Sequence, residues 1–213
     1  MSHRSSVLPH DPLERLVPGR AHVLIGGPGT GKTELCLRFI AAGLAAGERT
    51  AMLVVSRGSD IKAHAKRLGI DLDDALRFDR LVLLRYHPDF FERLSHAAPP
   101  RRVVDELERI LAPIHPSRVV IDSFAPLVAD GPAGGAIIAA LSAYLERLGA
   151  TSLLTYPEDL SGGYDRRLET LLQNAAALLR LERRTHEHVD LKTLTIRAVP
   201  GADSPLTATM LPS

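Results

Sequence analysis

The sequence predicts an α/β fold: a mainly parallel central sheet flanked by helices, finished by antiparallel C-terminal strands. Three observations predict it. Short β-branched apolar runs alternate with segments of helical period along most of the chain. A glycine-rich GxxxxGK[ST] motif joins the first such run to the first helical segment. Near the C-terminus, strand-like runs over 175–182, 191–199 and 206–210 follow one another with no helix between them, and RRTHEH forms the turn.

The motif lies in HVLIGGPGTGKT, residues 22–33. Gly26, Gly31, Lys32 and Thr33 satisfy the pattern, with Gly27, Pro28, Gly29 and Thr30 between them. Val23, Leu24 and Ile25 are the buried strand before it. Leu35, Phe39, Ile40 and Leu44 recur at helical spacing after it, starting beyond Glu34 and stopping near Gly47. The residue types suit a polyphosphate. Glycines let backbone N–H groups turn inward where a Cβ would intrude, and the helix adds its orphan amides and positive dipole end. Residues 26–34 are therefore the expected nucleotide-binding set. Lys32 neutralises β/γ-oxygens and Thr33 offers a hydroxyl to Mg²⁺.

The remaining elements follow in order. LERLVPG is a short turn whose Pro18-Gly19 corner delivers the first strand. A second strand is expected over 50–55, a helix over 60–68, a loop over 69–75 and a third strand over 81–84. Residues 89–100 read as irregular, with Phe90 and Phe91 tucked into a groove. Val103, Leu107, Ile110 and Leu111 share one face of a helix over 102–111. Ser117 to Ser123 holds a buried strand, Val119-Val120-Ile121, that ends on Asp122. A carboxylate at the carboxyl end of such a strand, opposite a phosphate loop, holds Mg²⁺ directly or through water. A helix over 136–148 is entered from GPAGG, a strand spans 152–155, and SGGYDRR forms a mobile loop before a helix over 168–173. Parallel strands of this kind collect ligands at their carboxyl ends.

Composition bounds the function. The 213 residues carry a net charge of +1, with 45% hydrophobic and 24% charged residues, so no global field favours nucleic acid or membrane. No apolar run reaches the ~18 residues of a membrane span. Residues 1–12 are polar and are expected to form a flexible arm before a single domain over 13–213. One cysteine, Cys36, suits core packing and a reducing cytoplasm.

With these motifs in place the chain resembles the KaiC-like branch of the RecA superfamily. The matching stretches are VPGRAHVLIGGPGTGKTEL, SDIKAHAKRLGIDL, SRVVIDSFAPL, TSLLT with a following Gly-Tyr loop, and NAAALLRLE with TLTIRAVPG. The resemblance covers residues 10–210 and implies a RecA-like P-loop NTPase core, ATP with Mg²⁺, and homo-oligomers (a ring or a dimer) with nucleotide near the subunit interface. Lys32 and Thr33 match the phosphate and Mg²⁺ positions, and Asp122 matches the Walker B acid. Two departures stand out. The family's glutamate pair after the second strand is replaced by Val54-Val55-Ser56-Arg57-Gly58, and its late Lys-x-Arg pair by Arg197-Ala198-Val199-Pro200-Gly201. A trans arginine is worth ~10³–10⁵ in rate, so slow hydrolysis is expected. Glu158 and Asp159 are the acids that could substitute, and Glu158 joins Lys32 and Asp122 as a candidate catalytic group.

The leading expectation is an ATP-binding protein whose nucleotide state governs assembly or partner docking. An active ATPase switch or motor using Glu158 or a partner's acid is one rival. A recombination or repair accessory protein binding single-stranded DNA is another; its only local support is Arg166 and Arg167 beside Gly162 and Gly163, without interleaved aromatic residues. A small-molecule kinase lacks an arginine-rich lid. His186 and His188 around Glu187 read as a solvated turn, because no third ligand sits at metal spacing. His87 lies where ligands gather, Arg57 reads as a surface charge, and Ser123 either polarises a phosphate or caps its strand.

Overall fold

The structure, a computed structural model, describes residues 12–86, 101–125, 132–158, 165–186, 189–198 and 207–211. A 3-10 helix, Pro12–Arg15, leads into β1 (Ala21–Gly26). The other strands are β2 (Thr50–Val54), β3 (Leu81–Arg85), β4 (Arg118–Asp122), β5 (Thr151–Pro157), β6 (Ala177–His186), β7 (Val189–Ala198) and β8 (Thr207–Leu211). The helices are α1 (Lys32–Ala45), α2 (Gly58–Arg67), α3 (Asp73–Arg77), α4 (Arg101–Leu111), α5 (Pro132–Leu148) and α6 (Arg166–Gln173).

All eight strands join one sheet in the order β3-β2-β4-β5-β1-β6-β7-β8. Strands β1 to β6 pair in parallel, while β7 runs antiparallel to β6 and β8 antiparallel to β7. This is the predicted α/β, mainly parallel architecture with antiparallel C-terminal strands. The alternation of β1 shows how both faces are covered. Val23 and Ile25 join the core with Leu107 of α4 and Leu141 of α5, whereas Leu24 joins Leu37, Phe39 and Ile40 of α1. Parallel strands sandwiched in this way read as continuous apolar runs, as β1, β2 and β4 do. Cys36 is fully buried and burial raises its thiol pKa, in keeping with a packing role. Among the described residues no helix is long and apolar enough to cross a membrane.

Several element expectations are corrected. Part of the loop expected over 69–75 belongs to α3, because Asp73 and Asp74 favour a helical first turn and Asp71 Oδ1 accepts from Asp73 N–H at 2.9 Å. The GPAGG lead-in is partly helical: α5 starts at Pro132, a residue pre-set for the first helical position. Arg166 and Arg167 are not loop residues. They open α6 behind the cap Asp165, whose Oδ1 accepts from Leu168 N–H at 2.7 Å and whose Oδ2 pairs with Arg167 at 3.0 Å. The turn expected at RRTHEH is mostly strand, since β6 extends to His186 and β7 resumes at Val189. The N-terminal arm through residue 11, His87, Phe90, Phe91, Asp159, the Gly162-Gly163 loop, Glu187, His188 and Val199 to Gly201 lie outside the described residues.

His22 is a charge-sensitive point in this core. It is fully buried on β1; its Nε2 accepts from Val17 N–H at 3.0 Å and its Nδ1 faces the Ser152 carbonyl at 3.3 Å. Those roles require the neutral ring protonated at Nδ1. Burial pulls the pKa down from 6.5 to about 4, against a smaller upward pull from the Ser152 carbonyl. Between pH 6.5 and 4 the unfolded chain therefore takes up a proton that the folded chain refuses, and stability falls with pH across that window. Urea unfolding should lose about 3 kcal/mol from this group on acidification. In His22→Gln that component of the pH dependence should disappear.

Candidate phosphate and cation site

The loop between β1 and α1 owes its glycines to two separate constraints. At Gly26 a Cβ would lie 2.5 Å from the Leu181 carbonyl oxygen of β6 and 2.8 Å from Thr30 Oγ1. That glycine lets two adjacent strands and the loop close together. At Gly29 and Gly31 the requirement is conformational, with φ of +72° and +103°. The loop is tied internally by Thr30, whose N–H and hydroxyl both bond the Gly27 carbonyl, at 3.4 and 2.9 Å. The first intrahelical bond is Leu35 N–H to Gly31 at 3.0 Å, so the preceding amides of α1 are left for an anion.

Lys32 folds back across this loop. Its Nζ donates to the carbonyls of Gly26 at 2.6 Å and Gly27 at 2.9 Å, which fixes the ammonium over the cradle. Burial lowers its pKa from 10.5, and the nearby carboxylates of Asp122 and Glu158 oppose that shift. The two carbonyls hold the ammonium in place, while the carboxylates at the end of β4 and just past β5 favour its charged form.

Strand order explains how Asp122 arrives. β5 lies between β1 and β4, so the carboxyl ends of three strands meet beside the loop. Asp122 Oδ2 accepts from Thr33 Oγ1 at 2.7 Å, and Oδ1 accepts from Thr155 Oγ1 of β5 at 2.6 Å. The Thr33 hydroxyl and the Asp122 carboxylate are oxygen donors of the kind a hard divalent cation takes, and Thr155 orients the carboxylate. Thr155, fully buried, went unnoticed in the sequence because it reads as the last residue of an apolar strand. Its signal, a hydroxyl at the carboxyl end of a parallel strand, becomes visible only with the strand order.

Tyr86, just past β3, donates its hydroxyl to the Ser123 carbonyl, and its pKa is raised by burial and by Asp122. This holds the chain directly after Asp122. The Ser123 hydroxyl itself is buried and makes no hydrogen bond among the described residues, so it does not cap its strand.

Two further cations enter from the antiparallel part of the sheet. Arg180 of β6 forms an ion pair with Glu158, whose N–H donates to the Gly26 carbonyl at 3.3 Å. Lys192 of β7 donates to Glu34 Oε2 at 2.7 Å. Neither cation was singled out in the sequence, where both sit among ordinary strand charges. Glu158, read from the sequence as an acid that could substitute, stands beside the loop paired with an arginine. Glu34, expected only as part of the binding segment, has its carboxylate engaged by Lys192 and by Arg38 at 3.0 Å. Burial raises the Glu34 pKa, and the two cations outweigh this to bring it below its usual value. Arg57 is the exposed residue before α2, and Arg197 lies exposed on β7. Among the described residues no group of three or more His, Cys, Asp or Glu forms a further metal cluster.

The arrangement suits a polyphosphate chelated to a divalent cation. It has a loop whose glycines serve a close strand approach at Gly26 and positive φ at Gly29 and Gly31, an ammonium fixed over it and oxygen donors beside it. Gly26→Ala should destabilise the chain by ~1–3 kcal/mol in urea unfolding, since the new methyl meets backbone rather than a flexible side chain. Gly29→Ala, which meets nothing within 4 Å, should cost about 1 kcal/mol through its φ alone.

A family model described as "ATPase: KaiC" matches residues 11–203. No curated protein matches the chain.

Proposed function

The chain belongs to the KaiC-like ATPase family of the RecA superfamily, and on that premise we propose that it is an ATP-responsive assembly or docking protein that hydrolyses ATP slowly. Binding of ATP to a RecA-fold domain is the family's coarse property. The finer reading rests on one contrast within the site: the groups that hold a nucleotide are complete, while those that activate water are not.

On the holding side, the amides of residues 26–34 cradle the phosphates and Lys32 faces the β/γ-oxygens. Thr33 and Asp122 are the ligands for Mg²⁺, with Thr155 fixing the carboxylate. Bound magnesium supplies charge neutralisation across the phosphates. On the activating side, the segment after β2 is Val55-Ser56-Arg57, with no carboxylate before Asp60 of α2. Glu158 is near Lys32, but its carboxylate is engaged by the Arg180 guanidinium. Arg197 remains as a lone exposed cation with no Lys-x-Arg pair around it.

A slow enzyme with a tight ligand works through occupancy. Nucleotide that stays bound can govern whether two copies, or a copy and a different protein, meet across the phosphates. The fold leaves room for an active switch through Glu158, because its backbone bond to Gly26 keeps it at the loop. Purified protein should release phosphate at on the order of 10⁻³ s⁻¹ or slower, the range of P-loop proteins without a trans arginine. Lys32→Ala should abolish even that. Light scattering should show a mass that rises with ATP and Mg²⁺. Turnover of several per second, lost in Glu158→Gln, would establish the active-switch reading instead.

A further inference from the structure

Lys192 is out of place for a strand-surface lysine. It sits on β7, 158 residues from its partner Glu34, yet its side chain is only 15% exposed. Its face of the strand is the one that carries Leu194 and Ile196, which pack with α1. The next residue outward on that face is Lys192, so the strand aims an ammonium group at the first turn of α1.

Its position relative to the loop is the telling observation. The Nζ lies 3.4 Å from where a Cβ on Gly31 would stand, and its Cε lies 3.6 Å away. The ammonium therefore lies directly against the last glycine of the phosphate cradle. Lys32 covers the opposite end, bonded to Gly26 and Gly27. Two ammonium groups thus bracket the loop from its two ends. Glu34 does not require both of its cations, because Arg38 one turn along the helix already pairs with it. An ammonium has three donor hydrogens, and the bond to Glu34 occupies one.

We propose that Lys192 is a second phosphate-binding residue, directed at the α/β-phosphates of a nucleoside di- or triphosphate, and that Glu34 restrains its affinity by sharing the ammonium. The division between the lysines follows from the loop. In a phosphate loop the amides near the helix start surround the α- and β-phosphates, while the loop lysine reaches the β- and γ-phosphates. Lys192 stands at the helix-start end. It should therefore act alike on diphosphate and triphosphate, whereas Lys32 should favour the triphosphate. Removing the Glu34 charge should leave Lys192 with its full field for phosphate.

The inference rests on the nucleotide-binding reading above, and its test separates the two. Titration calorimetry with ADP and with ATP, magnesium present, would compare the wild-type chain with Lys192→Ala, Lys192→Arg and Glu34→Gln. Loss of one charge-assisted contact predicts about tenfold weaker binding of both nucleotides in Lys192→Ala, with the ATP/ADP ratio unchanged. Lys192→Arg should retain most of the affinity, which also shows that the strand tolerates replacement. Glu34→Gln should bind several-fold more tightly, a sign opposite to that of Lys192→Ala. A wild-type chain that binds ADP and ATP while Lys192→Ala binds them equally well overturns this proposal alone. So does Glu34→Gln weakening binding in step with Lys192→Ala, the mark of a purely structural ion pair. A wild-type chain that binds neither nucleotide overturns the nucleotide reading and this proposal together.

Discussion

The carboxylate of Asp122 is the constraint on which the site depends. Each oxygen accepts one short hydrogen bond, from Thr33 at the start of α1 and from Thr155 on β5. These bonds add a polar tie to the apolar packing of α1 on β4 and β5. Even a half-buried carboxylate needs such donors, so the two hydroxyls stabilise it and fix its orientation at once. Moving the tip of β4 would also move the helix that carries Lys32 and Thr33.

Charge around the loop is arranged in pairs. Arg180 meets Glu158 just past β5 and Lys192 meets Glu34 on α1, so both pairs tie the loop's surroundings to the C-terminal strands. The β6–β7 ribbon is thereby coupled to the phosphate loop through ion pairs as well as backbone. On the nucleotide-binding reading proposed above, a polyanion entering the loop would compete with Glu34 for Lys192. Partly buried pairs of this kind are less screened than surface ones. Their value here lies in position more than in stability.

Much of this was legible in the residues. The GxxxxGK[ST] segment, the strand before it and the amphipathic helix after it identify the phosphate loop, because each requirement is local. Asp122 was legible for the same reason: it ends an apolar run. The strand order was not legible, since nothing in Val119-Val120-Ile121 says that β5 separates it from β1. Thr155, Tyr86, Arg180 and Lys192 depend on that order, so they stayed hidden among ordinary strand residues. Helix ends were misjudged where composition and position disagree. Pro132 reads as part of the GPAGG lead-in but opens α5, and Asp165 reads as loop but caps α6.

The most direct measurement is the effect of magnesium on ATP affinity in the wild-type chain and in Asp122→Asn. If Thr33 and Asp122 hold the cation beside the phosphates, magnesium should strengthen ATP binding to the wild-type chain at least tenfold, a difference of about 1.4 kcal/mol. In Asp122→Asn that gain should vanish while magnesium-free binding persists. An equal magnesium gain in both proteins would contradict the account.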